Sequence, residues 1–470
     1  MSRFNRPGTE KEQAKTVFRS LQKDTSPVEL TLGILPSGAS YLLIEKLQVE
    51  RICAVENLPH PLRDSYLSCE GFESLSPIYF ADFDELATKL TRHAPKKGQG
   101  HETDTSQANR SFSNPSEEHY MLYLARAIFE QVRLLRMIVQ NPKSNFEHYQ
   151  VFDSSRLSNT KIISFAYTQW ASDGRPWTER QNKPTAKHLD VGFAVAKDSN
   201  WRPMHDKAVH MYNSQNAMLA QRGEEKADFL PGTSVTVNPD TLRSRIQEVF
   251  AEHLQDTNPT VLLVYNQENA LKVLQAYGVV TDSWQKNGLR DLLHPSRSHR
   301  TSYNDHSTSR PTQGYRRSSR SRSPQRNGGR PPRTRSPAPD VRRFPRGTVH
   351  VIDIQNLVTA LFHGDEKSLN DVARKFDLPS SGWNAARDAD TLVHIFRSMA
   401  DGPSIDQQHE LRARTLSQLH QPGPSTIPAP SSSTAPDDDD DDPNDIVQVS
   451  VNGQKRGYYS EDSDYEGDSD

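Results

Sequence analysis

The stretch Trp383-Asn384-Ala385-Ala386-Arg387-Asp388-Ala389-Asp390-Thr391-Leu392-Val393-His394-Ile395-Phe396 decides how this chain is read. Its apolar residues fall at Ala389, Leu392, Val393 and Phe396, the spacing of one helix face. Just upstream, Lys367 to Pro379 repeats that spacing at Leu369, Val372, Ala373 and Phe376. Pro379 has no amide hydrogen to continue a helix and stops the first one. Two short amphipathic helices joined by a turn, Pro379 to Gly382, are expected.

Working outward, Val349-His350-Val351-Ile352-Asp353-Ile354 reads as an interior strand leading into these helices. Thr260 to Tyr265 is a continuous apolar run, which suits a strand covered on both faces, and Asn269 to Tyr277 is the helix after it. Lys161 to Trp170 and His188 to Val195 read as strands, and Ala208 to Tyr212 as a third. Residues 239–254 carry Leu242, Ile246, Val249 and Phe250 at helical spacing. The expected fold class is α/β, a mixed five-stranded sheet flanked by helices with long disordered segments. Its strands lie near 161–170, 188–197, 207–213, 260–266 and 348–354, the last two being neighbours.

The paired helices resemble the last motif of DEDD-type 3′–5′ exonucleases, a superfamily with a ribonuclease H-like fold. The residues that match are Ser368, Leu369, Leu378, Pro379, Asn384, Ala385, Asp388, Ala389 and Thr391. The strand at 188–195 is similar to the family's hairpin strand. The chain also resembles a fungal subgroup of this superfamily related to an mRNA-transport factor. The resemblance covers about 160–285 and 347–400. It implies two divalent ions held by four carboxylates, with Mg²⁺ as the hard ion that suits such ligands if the protein is active.

The positions that should supply those ligands depart from the pattern. The first motif falls at Tyr167-Thr168-Gln169, where neither Tyr167 nor Gln169 is a carboxylate. A rival frame at Asp153-Ser154-Ser155 keeps one acid. The second motif reads Tyr265-Asn266-Gln267-Glu268-Asn269-Ala270-Leu271, with Ala270 at the ligand position. The general base is replaced by Trp383 in one branch's frame and by Asn384 in the other's. Asp388 alone remains as a metal candidate, and it doubles as a first-turn acid that complements a helix dipole. Rearranged ligands would draw on Asp153, Asp173, Asp190 or Glu268. His205 and His210 lack the spacing of a helical zinc motif. The reading is a catalytically inactive, exonuclease-like module that binds nucleic acid or acts as a scaffold in RNA metabolism. An active Mg²⁺-dependent exonuclease is the rival, and a protein working through its Arg/Ser segment is a third reading.

The rest of the chain divides by composition. Of 470 residues only 33% are hydrophobic and 31 are proline; mean hydropathy is −0.80. This leaves one or two cores and long polar stretches. Residues 1–27 read as disordered, 28–95 as a small α+β or accessory segment, and 96–115 as a linker. Residues 116–142 read as a helix whose Arg126, Arg133 and Arg136 lie off its apolar stripe, facing nucleic acid or solvent. The main domain is then split, 150–292 and 348–401, by an insertion at 293–347. From Arg297 to Gly347 the insertion holds fourteen Arg, no Lys and two acids. Arg316, Arg317, Arg320, Arg322, Arg333 and Arg335 are its candidate contacts to RNA or single-stranded nucleic acid, through counterion release. Residues 402–470 read as a disordered acidic tail; 437–470 carries thirteen acids against Lys455 and Arg456. The tail is expected to compete with RNA for the arginines, and both segments are candidate protein contacts. Two cysteines, Cys53 and Cys69, give no disulfide framework. With no signal peptide and no apolar run of about 18 residues, an intracellular protein off the membrane is expected, nuclear in preference to cytoplasmic.

Overall fold

In the computed structural model the described residues are 9–59, 68–94, 106–112, 120–170, 187–197, 199–219, 225–228, 232, 234–254, 258–295, 348–362, 364, 368–380 and 382–411. The fold is mixed α/β and its centre is one mixed sheet. The strands are β4 (Lys161–Gln169), β5 (His188–Ala196), β6 (Val209–Asn213), β7 (Ser234–Val237), β8 (Thr260–Val264) and β9 (Val349–Asp353), in the order β7-β6-β5-β4-β8-β9. β4 and β5 pair antiparallel, and β8 runs parallel to both β4 and β9. The neighbours expected from the sequence, 260–266 and 348–354, do lie side by side.

Residues of successive strand positions feed two different cores. Ile162, Ala166, Val261, Leu263 and Ile352 enter one; Ile163, Phe165, Leu262, Val264 and Val351 enter the other. That is why β8 has no polar alternation: both of its faces are buried. The second core is covered by α6 (Pro239–Leu254) and α7 (Gln267–Ala276). The first holds α9 (Ile354–Phe362) and α11 (Ala385–Asp401), the long helix of the quoted stretch.

The sheet has six strands, not five. The sixth, Ser-Val-Thr-Val of β7, is a short, mostly exposed edge strand. Its β-branched residues favour a strand, but four residues leave no period to recognise.

The expected accessory segment is a three-stranded antiparallel sheet, β2-β1-β3, made of β1 (Val28–Ile34), β2 (Ser40–Leu43) and β3 (Ser74–Phe80). It carries α2 (Lys46–Glu56) and α3 (Phe83–His93). Residues 1–27, expected to be disordered, contain α1 (Glu10–Leu21). Thr9 and Glu12 close a capping box there, and Ala14, Val17 and Phe18 are buried. Within the expected linker, Asn109 is buried and hydrogen bonds both backbone groups of Ser40.

α4 (Tyr120–Gln140) joins the two sheets, packing on β3 on one side and on α9 and α11 on the other. Its arginines face neither nucleic acid nor solvent. Arg126, Arg133 and Arg136 are buried, paired with Asp406, Glu130 and Asp401. A second correction accompanies this one. Residues 405–411, placed in the disordered tail by composition, are helical, and Asp406 is buried in the joint. There it also accepts from Lys89 Nζ and Ser40 Oγ, both at 3.0 Å. Burial alone would raise its pKa, but the charges of Lys89, Arg126 and His93 hold the carboxyl well below its usual range. The tail beyond residue 411, the insertion at 296–347 with all six candidate arginines, and Asp173 lie outside the described residues.

Candidate functional site

A cleft of about 370 Å³ opens at the carboxyl ends of β4 and β8, against the amino end of α11. Tyr167, Thr168 and Gln169 come from the end of β4, and Tyr265 and Asn266 from the turn after β8. Gln355 comes from α9, Ser368 to Asn370 from the start of α10 (Leu369–Lys375), and Gly382, Trp383 and Asp388 from the turn and first helical turn of α11. Four of the five positions singled out from sequence, Tyr167, Gln169, Trp383 and Asp388, therefore share one cavity. Ala270 does not. It lies on α7 with its side chain in the sheet core, so the second motif reaches the cleft through Asn266 instead.

Each wall has a physical cause. Gly192 on β5 lets the start of α11 lie directly on the strand: a Cβ there would stand 2.2 Å from the Ala386 amide nitrogen. Ser164 Oγ donates to the Ala389 carbonyl at 2.7 Å and ties the helix to β4. Asn384 caps α11, its side-chain oxygen accepting from the amides of Ala386 and Arg387. Its own Nδ2 donates to Ala227 O, while the backbone of Trp383 pairs with residues 225 and 227. Asn266 sits at φ +60°, a left-handed conformation that Asn tolerates. Asp353, at the end of β9, holds it there by accepting from the amides of Asn266 and Gln267, at 3.2 and 2.8 Å. Burial raises the Asp353 pKa, and those hydrogen bonds oppose the rise.

The cleft is aromatic and almost neutral. Tyr167 packs edge-on to His188 and stacks near Phe165. Burial lifts the Tyr167 hydroxyl to about 12 and pushes the His188 imidazole down to about 4, so both are neutral at pH 7. Trp383 is buried, edge-on to Tyr212, and its indole nitrogen has no hydrogen-bond partner. The Thr168 hydroxyl is likewise buried and unpartnered. Asp388, half-buried in the first turn of α11, is the one carboxylate among the lining residues.

None of the described candidates for rearranged ligands reaches the cleft. Asp190 is buried and accepts from the Ala385 amide at 3.0 Å and pairs with His210 Nε2 at 2.8 Å. His210 Nδ1 in turn meets Ser234 Oγ at 2.7 Å. This relay ties β5, β6 and β7 to the start of α11. Sequence reading missed its role because its members lie 20 and 24 residues apart. Glu268 is on the surface with Lys272, and Asp153 caps a short helical turn, α5 (Ser154–Leu157). His205 belongs to a separate turn, His205–Lys207. Among the described residues no three His, Cys, Asp or Glu side chains are grouped to hold a metal ion. No described helix is long and apolar enough to cross a membrane. No family model matches this sequence, and no curated protein matches it either.

Proposed function

We propose that the chain is a ribonuclease H-like protein that holds single-stranded nucleic acid, RNA in particular, in this cleft without cutting it. In that role it is a binding or scaffolding module of RNA metabolism inside the cell. The observation that carries this reading is the composition of the cleft. It gathers the β4 end, the β8 turn and the α11 start, where the resemblance calls for metal ligands, and offers Asp388 where two-metal chemistry needs about four carboxylates. What replaces the carboxylates is suited to binding. Tyr167 and Tyr265 are apolar surfaces for a base, and Gln169, Asn266, Gln355 and Asn370 carry neutral donors and acceptors. The hairpin β4–β5, with β8 and β9 parallel to its first strand, supports the fold assignment.

The rival reading, an active exonuclease, needs further carboxylates. Asp190, Glu268 and Asp153 are engaged elsewhere. The test uses labelled single-stranded RNA with the full chain and Mg²⁺ or Mn²⁺. The RNA should stay intact while fluorescence anisotropy reports binding, and Gln169→Ala with Asn370→Ala should weaken that binding severalfold. Metal-dependent degradation abolished by Asp388→Asn would overturn the reading.

A further inference from the structure

A second groove, of about 550 Å³, is built from α2, the segment 147–152 and residues 68–70. Two large apolar side chains stand exposed on it, Leu47 at 74% and Phe152 at 71%. Its lining carries Glu45, Glu70 and Glu147 against Lys46 and His148, and Lys46 lies 3.7 Å from Glu50 outside the groove. His148 is divided between two carboxylates, 3.7 Å from Glu29 and 3.5 Å from Glu45. Burial raises the Glu45 pKa, the Glu29 charge adds to the rise, and His148 offsets part of it. An acidic surface with an apolar floor fits a cationic chain whose side chains have long apolar stems.

The described chain breaks off beside this groove. His294 is buried, and its Nδ1 lies 3.2 Å from the carbonyl of Gln150, a groove residue. Three residues later comes Arg297, the first of fourteen arginines before Gly347. At roughly 3.5 Å per residue, Arg297 lies within about 10 Å of His294 and Arg300 within about 20 Å. A tether this short gives millimolar effective concentrations.

We propose that this groove docks the chain's own arginine-rich segment, 297–347. Guanidinium groups pair with Glu45 and Glu147, and their methylene stems lie on Leu47 and Phe152. Docking occupies cations that would otherwise meet phosphate. The folded domain, and not only the acidic tail, then competes for the segment. The proposal does not rest on RNA binding, and its test contains no RNA.

The full chain is digested briefly with trypsin at low salt, and the rate of cleavage after Arg297, Arg300 and Arg316 is followed by mass spectrometry. The comparison is Glu147→Lys with Phe152→Ser; both residues are exposed, and circular dichroism checks that the fold is kept. Cleavage in the natural chain should be about fivefold slower than in the variant, and high salt should remove the difference by screening. Equal rates at low salt overturn the proposal. Protection that grows with protein concentration assigns the groove to the segment of a second copy and overturns the intramolecular form.

Discussion

The cleft and the α4 joint use polar residues in opposite ways. The joint packs Lys89, Arg126, Arg133 and Arg136 against Glu130, Asp401, Asp406 and Glu410, most of them buried. The cleft lines its walls with Tyr, Thr, Gln, Asn and Trp and one carboxylate. Among the described residues, the buried ion pairs around α4 join the two sheets. The cleft's walls are set by a glycine under a helix, a left-handed Asn and a capping Asn, with Asp353 and Asp190 accepting backbone amides behind them. A buried ion fails badly when its partner is removed, whereas a half-exposed acid costs less to change.

That contrast breaks first at Asp406. Asp406→Asn leaves Lys89 and Arg126 without their shared anion and should cost about 3–5 kcal/mol in a urea titration. A loss under about 1 kcal/mol would mean the joint is not what couples the sheets. Gly192→Ala should come next, at about 3 kcal/mol, because the added Cβ meets helix backbone and not a side chain that can turn aside. Unchanged stability would show that α11 can lift off β5 freely.

A third test concerns pH. Burial holds His188 and His350 at about 4, below the ordinary 6.5. Between pH 6.5 and 4 the unfolded chain binds these protons and the folded chain does not, so stability must fall as pH falls through that window. The slope is about 1.4 kcal/mol per pH unit for each histidine. His188→Phe should remove one share of it in urea titrations at pH 5 and 7; an unchanged slope would place His188 in contact with water. The smallest effect is expected at Asp388. Asp388→Asn should change stability by under about 1 kcal/mol, the scale of a helix-dipole interaction. A larger loss would make Asp388 a structural member of the α11 cap.

Asp388, Trp383, Tyr167 and Gln169 could be named from the sequence because the motifs of the resembled family fall on elements legible in it. Asp353 and Asp190 could not be ranked. Each is one acid in an apolar strand, and its importance comes from partners 86 and 195 positions away. Ala270 was misplaced because position along α7 does not tell which face meets the cleft.

The sequence alone determined five strands of the main sheet and the two late helices, since β8 and β9 are short unbroken apolar runs and the helices carry a clear 3.6-residue period. It also determined that carboxylates are scarce at the expected ligand positions. Only the tertiary structure decided where the charge went. Arg126 and Asp406 are separated by 280 positions, and composition assigned one to an open helix face and the other to a disordered tail. A polar residue looks solvent-loving in a window of ten. Whether it is instead buried and neutralised depends on a partner that only the folded chain brings within hydrogen-bond distance.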